Sequence, residues 1–158
     1  MAQKITPYLW FDSTAEEAIN FYVSVFKDAE ILNVTRFGEA GPGPAGSLMT
    51  ATFRLNGQEF IALNGGPEFT FTEAVSFLIE CETQAEVDYY WDKLSAGGAP
   101  GPCGWLKDQF GLSWQVIPTA LFKLMQDEDP ARANRVTQAM FQMSKIDIAT
   151  LEEVYAQT

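Results

Sequence analysis

Apolar residues are distributed along this chain in two similar blocks, and each block predicts a strand, then a helix, then further strands. In the first block, apolar residues at helical spacing over 15–26 predict a helix with one buried face. Apolar runs predict strands at 5–11 and 30–37, alternation predicts one at 47–55, and the hairpin after it predicts one at 58–64. The first block is therefore predicted to be a β-α-β-β-β unit.

Two local signals delimit elements of the first block. The polar run 12–14 (Asp-Ser-Thr) supplies helix N-cap residues, and Glu16 and Glu17 follow in the first turn, where the helix dipole favours carboxylates. Asn56-Gly57 is the residue pair typical of a two-residue hairpin turn. These signals favour a helix that begins near residue 15 and a hairpin that joins the last two strands.

The second block repeats this order with a shorter middle part. A strand is predicted at 74–81, Thr83 is the expected N-cap of a helix over 85–94, and strands follow at 105–108 and 112–117. Two such units can curve their sheets around one shared cleft. The predicted fold class is α+β, with paired βαβββ-type modules that form curved sheets around a cleft.

After Pro118 the pattern becomes helical. Helices are predicted at 121–125, 131–143 and 147–155, the second with Pro130 at its first position. This C-terminal helical extension is expected to pack on the domain or across a dimer interface.

A chain of 158 residues suffices for one well-packed domain, and no linker composition interrupts it. We predict a single domain, 1–158. Its parts are a first half of about 1–66, a second half of about 67–118 and a helical tail of about 119–158.

The charge of the chain limits its partners. The net charge is −11, and the ten Lys and Arg residues are scattered, so neither nucleic acid nor an anionic membrane is expected to bind. No apolar run approaches the roughly 20 residues that cross a bilayer. The N-terminus lacks the basic and apolar segments of a signal peptide. A cytoplasmic location is predicted.

The chain contains no histidine. Imidazole is the general base of most nucleophilic triads and a common ligand of zinc, iron and nickel, so these sites are not expected. Cys81 and Cys103 lie far apart without a CxxC pair, which argues against a zinc knuckle or a disulfide framework. We predict neither a bound metal nor a cofactor.

Several short runs of the sequence resemble those of a known superfamily. The resemblance is carried by 7–12 (Pro-Tyr-Leu-Trp-Phe-Asp), 15–18 (Ala-Glu-Glu-Ala), 65–67 (Gly-Gly-Pro), 103–106 (Cys-Gly-Trp-Leu) and 110–115 (Phe-Gly-Leu-Ser-Trp-Gln). These runs resemble vicinal oxygen chelate proteins, the superfamily of glyoxalases, bleomycin resistance proteins and dioxygenases. They are most similar to its PhnB-like branch, also called demethylubiquinone methyltransferase-like. The resemblance implies a homodimer.

The resemblance also implies where metal ligands lie in metal-dependent members, namely on the first and last strands of each half. After the turn 108–111 (Asp-Gln-Phe-Gly), Gln115 stands where a ligand Glu is typical, and Asn64 is the nearest equivalent in the first half. Ser76 lies on a strand that commonly carries a ligand His. Neutral amides bind divalent metals far less well than carboxylates do. This set therefore predicts a pocket without a metal.

The same strands supply the candidate ligand-binding residues. Indole rings favour an aromatic wall, although core packing is the alternative for each ring. The amides favour polar anchors, although hydrogen bonding to the scaffold is their alternative. The cysteine in the Gly-Pro-Cys-Gly loop has only Lys107 as a nearby cation, which favours a structural role over a nucleophilic one. No catalytic residue is assigned. The predicted ligand-binding set is Trp10, Asn64, Ser76, Cys103, Trp105, Trp114 and Gln115.

The leading functional hypothesis is a metal-free protein that binds a small organic molecule, and the sequence leaves open whether it is an enzyme. One alternative is a glyoxalase- or dioxygenase-like metalloenzyme with an atypical oxygen-ligand site. Another is a dimeric module with a vestigial pocket. Methyltransferase activity is not expected, because the run 41–44 (Gly-Pro-Gly-Pro) cannot open the helix of a nucleotide-binding motif.

Overall fold

The structure is a computed structural model that describes residues 5–157. The chain divides into two compact units between Phe71 and Thr72. Within the described residues there are two four-stranded sheets and five helices, which confirms the predicted α+β class with two modules and a helical extension. No helix in this part of the chain is long and apolar enough to cross a membrane.

The first unit is a β-α-β-β-β module, as predicted. Strand β1 pairs in parallel with β4, and β3 pairs antiparallel with both β4 and β2, so the sheet order is β1-β4-β3-β2. Asn56 and Gly57 have φ values of 47° and 86°, as a type I′ turn requires, which confirms the predicted hairpin. The elements are β1 (Tyr8–Phe11), α1 (Ala15–Val25), β2 (Ala29–Arg36), β3 (Leu48–Leu55) and β4 (Gln58–Asn64).

The second unit repeats the topology, with the sheet order β5-β8-β7-β6. The Thr83 side chain accepts a hydrogen bond from the Glu86 backbone N–H, which confirms the predicted cap of α2. Strand β6 was not predicted, because it has only two residues and one of them is a proline on the sheet edge. The elements are β5 (Ser76–Cys81), α2 (Gln84–Ser95), β6 (Ala99–Pro100), β7 (Trp105–Lys107) and β8 (Ser113–Pro118).

The helical tail belongs to the second unit. It consists of α3 (Thr119–Met125), α4 (Pro130–Phe141) and α5 (Ile148–Ala156). The side chains of Asp129 and Asp147 accept backbone N–H bonds at the starts of α4 and α5. The tail packs on the second unit, which was one of the two predicted alternatives. Its core cluster with β8 is Ile117, Leu121, Val136, Ile146 and Leu151.

Strand alternation gives the second sheet two distinct faces. Trp114 and Val116 of β8 are buried on the face toward α2. Ser113, Gln115 and Ile117 alternate with them and lie on the opposite face. That opposite face is the one that meets α3 and the rest of the tail.

Candidate functional site

The second unit contains a cavity of about 1030 Å³. Its floor is formed by β7 and β8, one side by the loop 99–103, and its opposite wall by α3 and α4. Sequence reasoning missed this wall, since the tail was expected only to pack or to dimerise. The tail residues that line the cavity are Leu121, Phe122, Met125, Gln126, Met140 and Phe141.

The strand register aligns polar residues of the cavity floor and of the neighbouring strand β5 in one row. Ser113 of β8 pairs with Ser76 of β5 and with Lys107 of β7, so these three residues cross neighbouring strands side by side. In the next row toward the tail, Gln115 pairs with Trp105. Directly opposed residues share a sheet face. The floor therefore changes from polar at the row of Ser113 to apolar toward the tail.

Gln115 and Ser76, which lie on two predicted ligand-binding strands, are brought together. The Gln115 Nε2 donates to Ser76 Oγ at 2.9 Å, and both side chains are half-buried. This bond holds the amide in one orientation at the cavity floor. The Gln115 amide is thus a neutral polar group with a fixed orientation, and it faces the apolar wall that the tail forms.

A single ion pair borders the polar row. Lys107 Nζ contacts Glu73 Oε1, and both residues line the cavity. The hydrogen bond from Lys107 lowers the pKa of the Glu73 carboxyl, so this group is a carboxylate at neutral pH. The two charges compensate each other, and the pair adds no net charge to the cavity.

Trp105 and Cys103 also line the cavity. Cys103 is half-buried and has a left-handed φ of 58°, and its backbone N–H donates to the Met143 carbonyl at 2.8 Å. This bond joins the Gly-Pro-Cys-Gly loop to the segment that follows α4. The cysteine backbone thus has a structural contact, and the residue contributes to the cavity lining.

Trp114 is not brought to this cavity. It is only 3% exposed, and its indole lies at 5.8 Å from the Phe77 ring on the helix face of the sheet. Its Nε1 donates to Asp108 Oδ2 at 2.9 Å, while Asp108 Oδ1 accepts from the backbone of Phe110 and Leu112. Trp114 therefore closes the 108–111 turn, and we remove it from the candidate ligand-binding residues.

Asn64 also has a structural position in the first unit. Its Oδ1 accepts from the Ala15 N–H at 2.9 Å, and its Nδ2 donates to the Leu48 carbonyl at 3.0 Å. Thr14, one of the three residues predicted as caps, makes no side-chain bond at this helix start. Since Leu63 pairs with Trp10 and Asn64 pairs with the next residue, the amide lies on the helix face. Asn64 is a helix anchor, so we remove it from the set.

Trp10 lies on the other face of the first sheet. Its Nε1 donates to the Gly66 carbonyl at 2.9 Å, and Phe69 packs edge-on at 5.0 Å. A side chain at Gly65 would collide with the indole ring. The Gly-Gly-Pro run therefore holds Trp10 half-buried in the first unit.

The donor set of the cavity floor does not fit a divalent metal. No cluster of three or more Asp, Glu or Cys residues that could hold an ion occurs between residues 5 and 157. Gln115 offers one neutral amide oxygen, and the Glu73 carboxylate is already engaged by Lys107. Divalent cations bind sites rich in carboxylates and carbonyls, or imidazoles and thiolates. The floor is suited to neutral organic groups instead.

Ser113 is a cavity residue that sequence reasoning did not single out. It lines the cavity, is 1% exposed, and its Oγ has no hydrogen-bond partner among the residues described. The available signal was its position two residues before Gln115 on a predicted strand, which places both on one face. A serine at such a position is too common to stand out by itself.

Comparisons with known proteins give one family and a set of similar structures. Residues 3–117 match the family described as 3-demethylubiquinone-9 3-methyltransferase. A putative 3-demethylubiquinone-9 3-methyltransferase, PhnB protein, from Bacillus cereus is 43% identical, with 73% of this chain and 99% of that chain covered and a TM-score of 0.67. No curated protein matches the chain.

Two more distant structures show the fold alone. A Pseudomonas aeruginosa protein is 22% identical, with 74% of this chain and 98% of that chain covered and a TM-score of 0.63. The fosfomycin resistance protein FosX from Mesorhizobium loti is 12% identical, with 73% and 90% covered and a TM-score of 0.52.

The family match spans both modules and ends at residue 117, so the tail helices that wall the cavity lie beyond it. The matched part contains the polar floor, and the unmatched part contains most of the apolar wall. The chain belongs to the PhnB-like family described as 3-demethylubiquinone-9 3-methyltransferase, and it shares its fold with the fosfomycin resistance protein FosX.

Proposed function

We propose that this protein binds a small organic molecule, without a metal ion, in the cavity of its second unit. The observation that carries the proposal is the cavity of about 1030 Å³, which combines the neutral amide of Gln115, held by its bond to Ser76, with an apolar wall. Pockets for organic ligands are mostly apolar with a few fixed polar groups. The proposed ligand-binding residues are Cys103, Trp105 and Gln115, which line the cavity together with residues of the tail. Ser76 positions Gln115, whereas Trp10, Asn64 and Trp114 lie outside this lining.

The methyltransferase named in the family description is not part of this proposal. The run 41–44 lies in the connection between β2 and β3 and opens no helix. A nucleotide-binding motif needs glycines between a strand and a helix N-terminus, where the backbone N–H groups bind phosphate. The site described here contains no such element.

A naphthalene titration tests whether the cavity binds apolar ligands. We expect naphthalene to perturb the NMR resonances of β7, β8 and α3. Phe122, which lines the cavity and is 36% exposed, contributes apolar contact area. Phe122→Ala should weaken binding about 3- to 10-fold. The matched control is Phe69→Ala in the first unit, which should leave the affinity unchanged. If naphthalene shifts no resonance of the second unit, the cavity is not a ligand site and the vestigial-pocket alternative replaces this proposal.

Elemental analysis tests the metal-free part of the proposal. Protein purified without chelator should contain no stoichiometric divalent ion, and Gln115→Ala should not change its metal content. Gln109→Ala, an exposed glutamine of the neighbouring turn, is the control. A stoichiometric ion that is lost in Gln115→Ala but kept in Gln109→Ala would establish the oxygen-ligand metalloenzyme. The homodimer implied by the family resemblance stays a prediction.

A further inference from the structure

Among its described residues, the second unit contains one buried hydroxyl without a partner. Of the buried side-chain nitrogen and oxygen atoms in residues 5–157, Ser113 Oγ is the one that makes no hydrogen bond. A hydroxyl removed from water without a compensating hydrogen bond lowers stability, so such groups are rare in folded proteins. A rare, unfavourable group that lines a cavity indicates a binding site for something outside the chain.

We propose that Ser113 is a ligand-binding residue, and that the ligand is an uncharged, mostly apolar molecule with one hydroxyl or carbonyl oxygen. The proposal rests on the proposed function and specifies its ligand. Ser113 lines the cavity in the row that also holds Ser76 and Lys107. The serine hydroxyl both donates and accepts, so it can bond either kind of oxygen.

The neighbouring groups exclude a charged partner for this hydroxyl. Lys107 is the cation beside Ser113, and its ammonium group is already paired with Glu73. An anionic ligand would have to displace Glu73 or remain uncompensated, and the net charge of −11 opposes it. A cationic ligand would meet the same compensated pair. A neutral oxygen bonds Ser113 without disturbing either charge.

The floor and the wall orient such a ligand. Gln115 lies two residues from Ser113 on the same strand face, at a spacing of roughly 6–7 Å. Beyond Gln115 the floor continues with Ile117, and Met140 and Phe122 of the tail form the facing wall. The oxygen end of the ligand therefore lies at Ser113, and its apolar body extends toward α3 and α4.

Three probes with the same naphthalene ring system test this assignment by NMR titration at neutral pH: naphthalene, 2-naphthol and 2-naphthoate. We expect 2-naphthol to bind more tightly than naphthalene, and 2-naphthoate to bind weakest. Ser113→Ala should weaken 2-naphthol binding about 3- to 10-fold, the range of one hydrogen bond, and leave naphthalene binding unchanged. Ser95→Ala, on α2 and outside the cavity lining, is the matched control and should change neither affinity.

A stability measurement separates a ligand-binding serine from a structural one. Because Ser113 Oγ makes no bond within the chain, Ser113→Ala should not lower the thermal stability of the free protein. Equal binding of 2-naphthol and naphthalene, or tightest binding of 2-naphthoate, would overturn this inference while the proposed function stands. Failure of all three probes to bind would overturn the proposed function itself.

Discussion

The two modules share one strand order but use the polar residues of their last strands differently. In the first unit, the amide of Asn64 lies on the helix face and bonds the backbone of Ala15 and Leu48. In the second unit, the amide of Gln115 lies on the opposite face and bonds the side chain of Ser76. A shift of one residue along a strand reverses the face on which a side chain lies. Similar residues in repeated modules can thus serve stability in one module and a cavity in the other.

The tail is the second difference between the units. It adds α3, α4 and α5 to the second unit, where α3 and α4 turn the face with Ser113 and Gln115 into the floor of a cavity. The first unit contains one helix and no corresponding cover within its described residues. The cavity is therefore a product of the module together with an extension that lies outside the family match.

Among the variants that test this difference between the modules, Asp108→Ala is expected to lose the most stability. The Asp108 carboxylate is 2% exposed and accepts three hydrogen bonds, one of them from Trp114. Its removal leaves buried donors unpaired and should lower the free energy of unfolding by about 3 kcal/mol. Urea denaturation measures the loss. Asp92→Ala, at an exposed position of α2, should change stability by less than about 0.5 kcal/mol. Comparable losses in both variants would contradict the structural role of the Asp108–Trp114 contact.

A smaller effect tests the opposite roles of the two amides. Asn64→Ala leaves the Ala15 N–H and the Leu48 carbonyl without their side-chain partner, and should cost about 1–2 kcal/mol of stability. It should leave ligand affinity in the second unit unchanged. Asn33→Ala, on exposed β2, is the matched control and should be nearly neutral. Denaturation and the naphthalene titration measure the two quantities. If Asn64→Ala abolished naphthalene binding without loss of stability, the contrast between the modules would fail.

The smallest effect concerns pH and Cys81, which is fully buried on the helix face of the second sheet. Burial raises the pKa of the Cys81 thiol from 9.0 to about 12. The folded state therefore keeps a proton that the unfolded state loses, so this contribution to stability is complete below about pH 9 and is lost as pH rises toward 12. Unfolding free energies are measured at pH 8 and at pH 10.5 under reducing conditions. The decrease between these two pH values should be larger for the parent protein than for Cys81→Ala. An equal fall in both would show that Cys81 makes no such contribution.

Much of the fold could be predicted from local patterns in the sequence. The alternation of 47–55, the Asn56-Gly57 turn and the Thr83 cap are short-range features, and the structure contains each of them. Trp114 was predicted to bind a ligand, yet it lies outside the cavity lining. The sequence did not show this, because an indole on a strand has the same pattern whether it packs on a helix or lines a cavity. The structure places Trp114 on the helix face. Its side chain alternates with that of Gln115 along β8, and its indole N–H bonds the buried Asp108 carboxylate.

The sequence by itself determined the two modules, the helical tail and the absence of imidazole from any site in this protein. These follow from residue type, spacing and turn chemistry, which act over a few residues. Only the tertiary structure decided that the tail walls a cavity, that Asn64 anchors a helix, and that the Ser113 hydroxyl is buried without a partner. These depend on strand register and on contacts between residues far apart in the chain, and a single residue of register reverses the face that a side chain occupies.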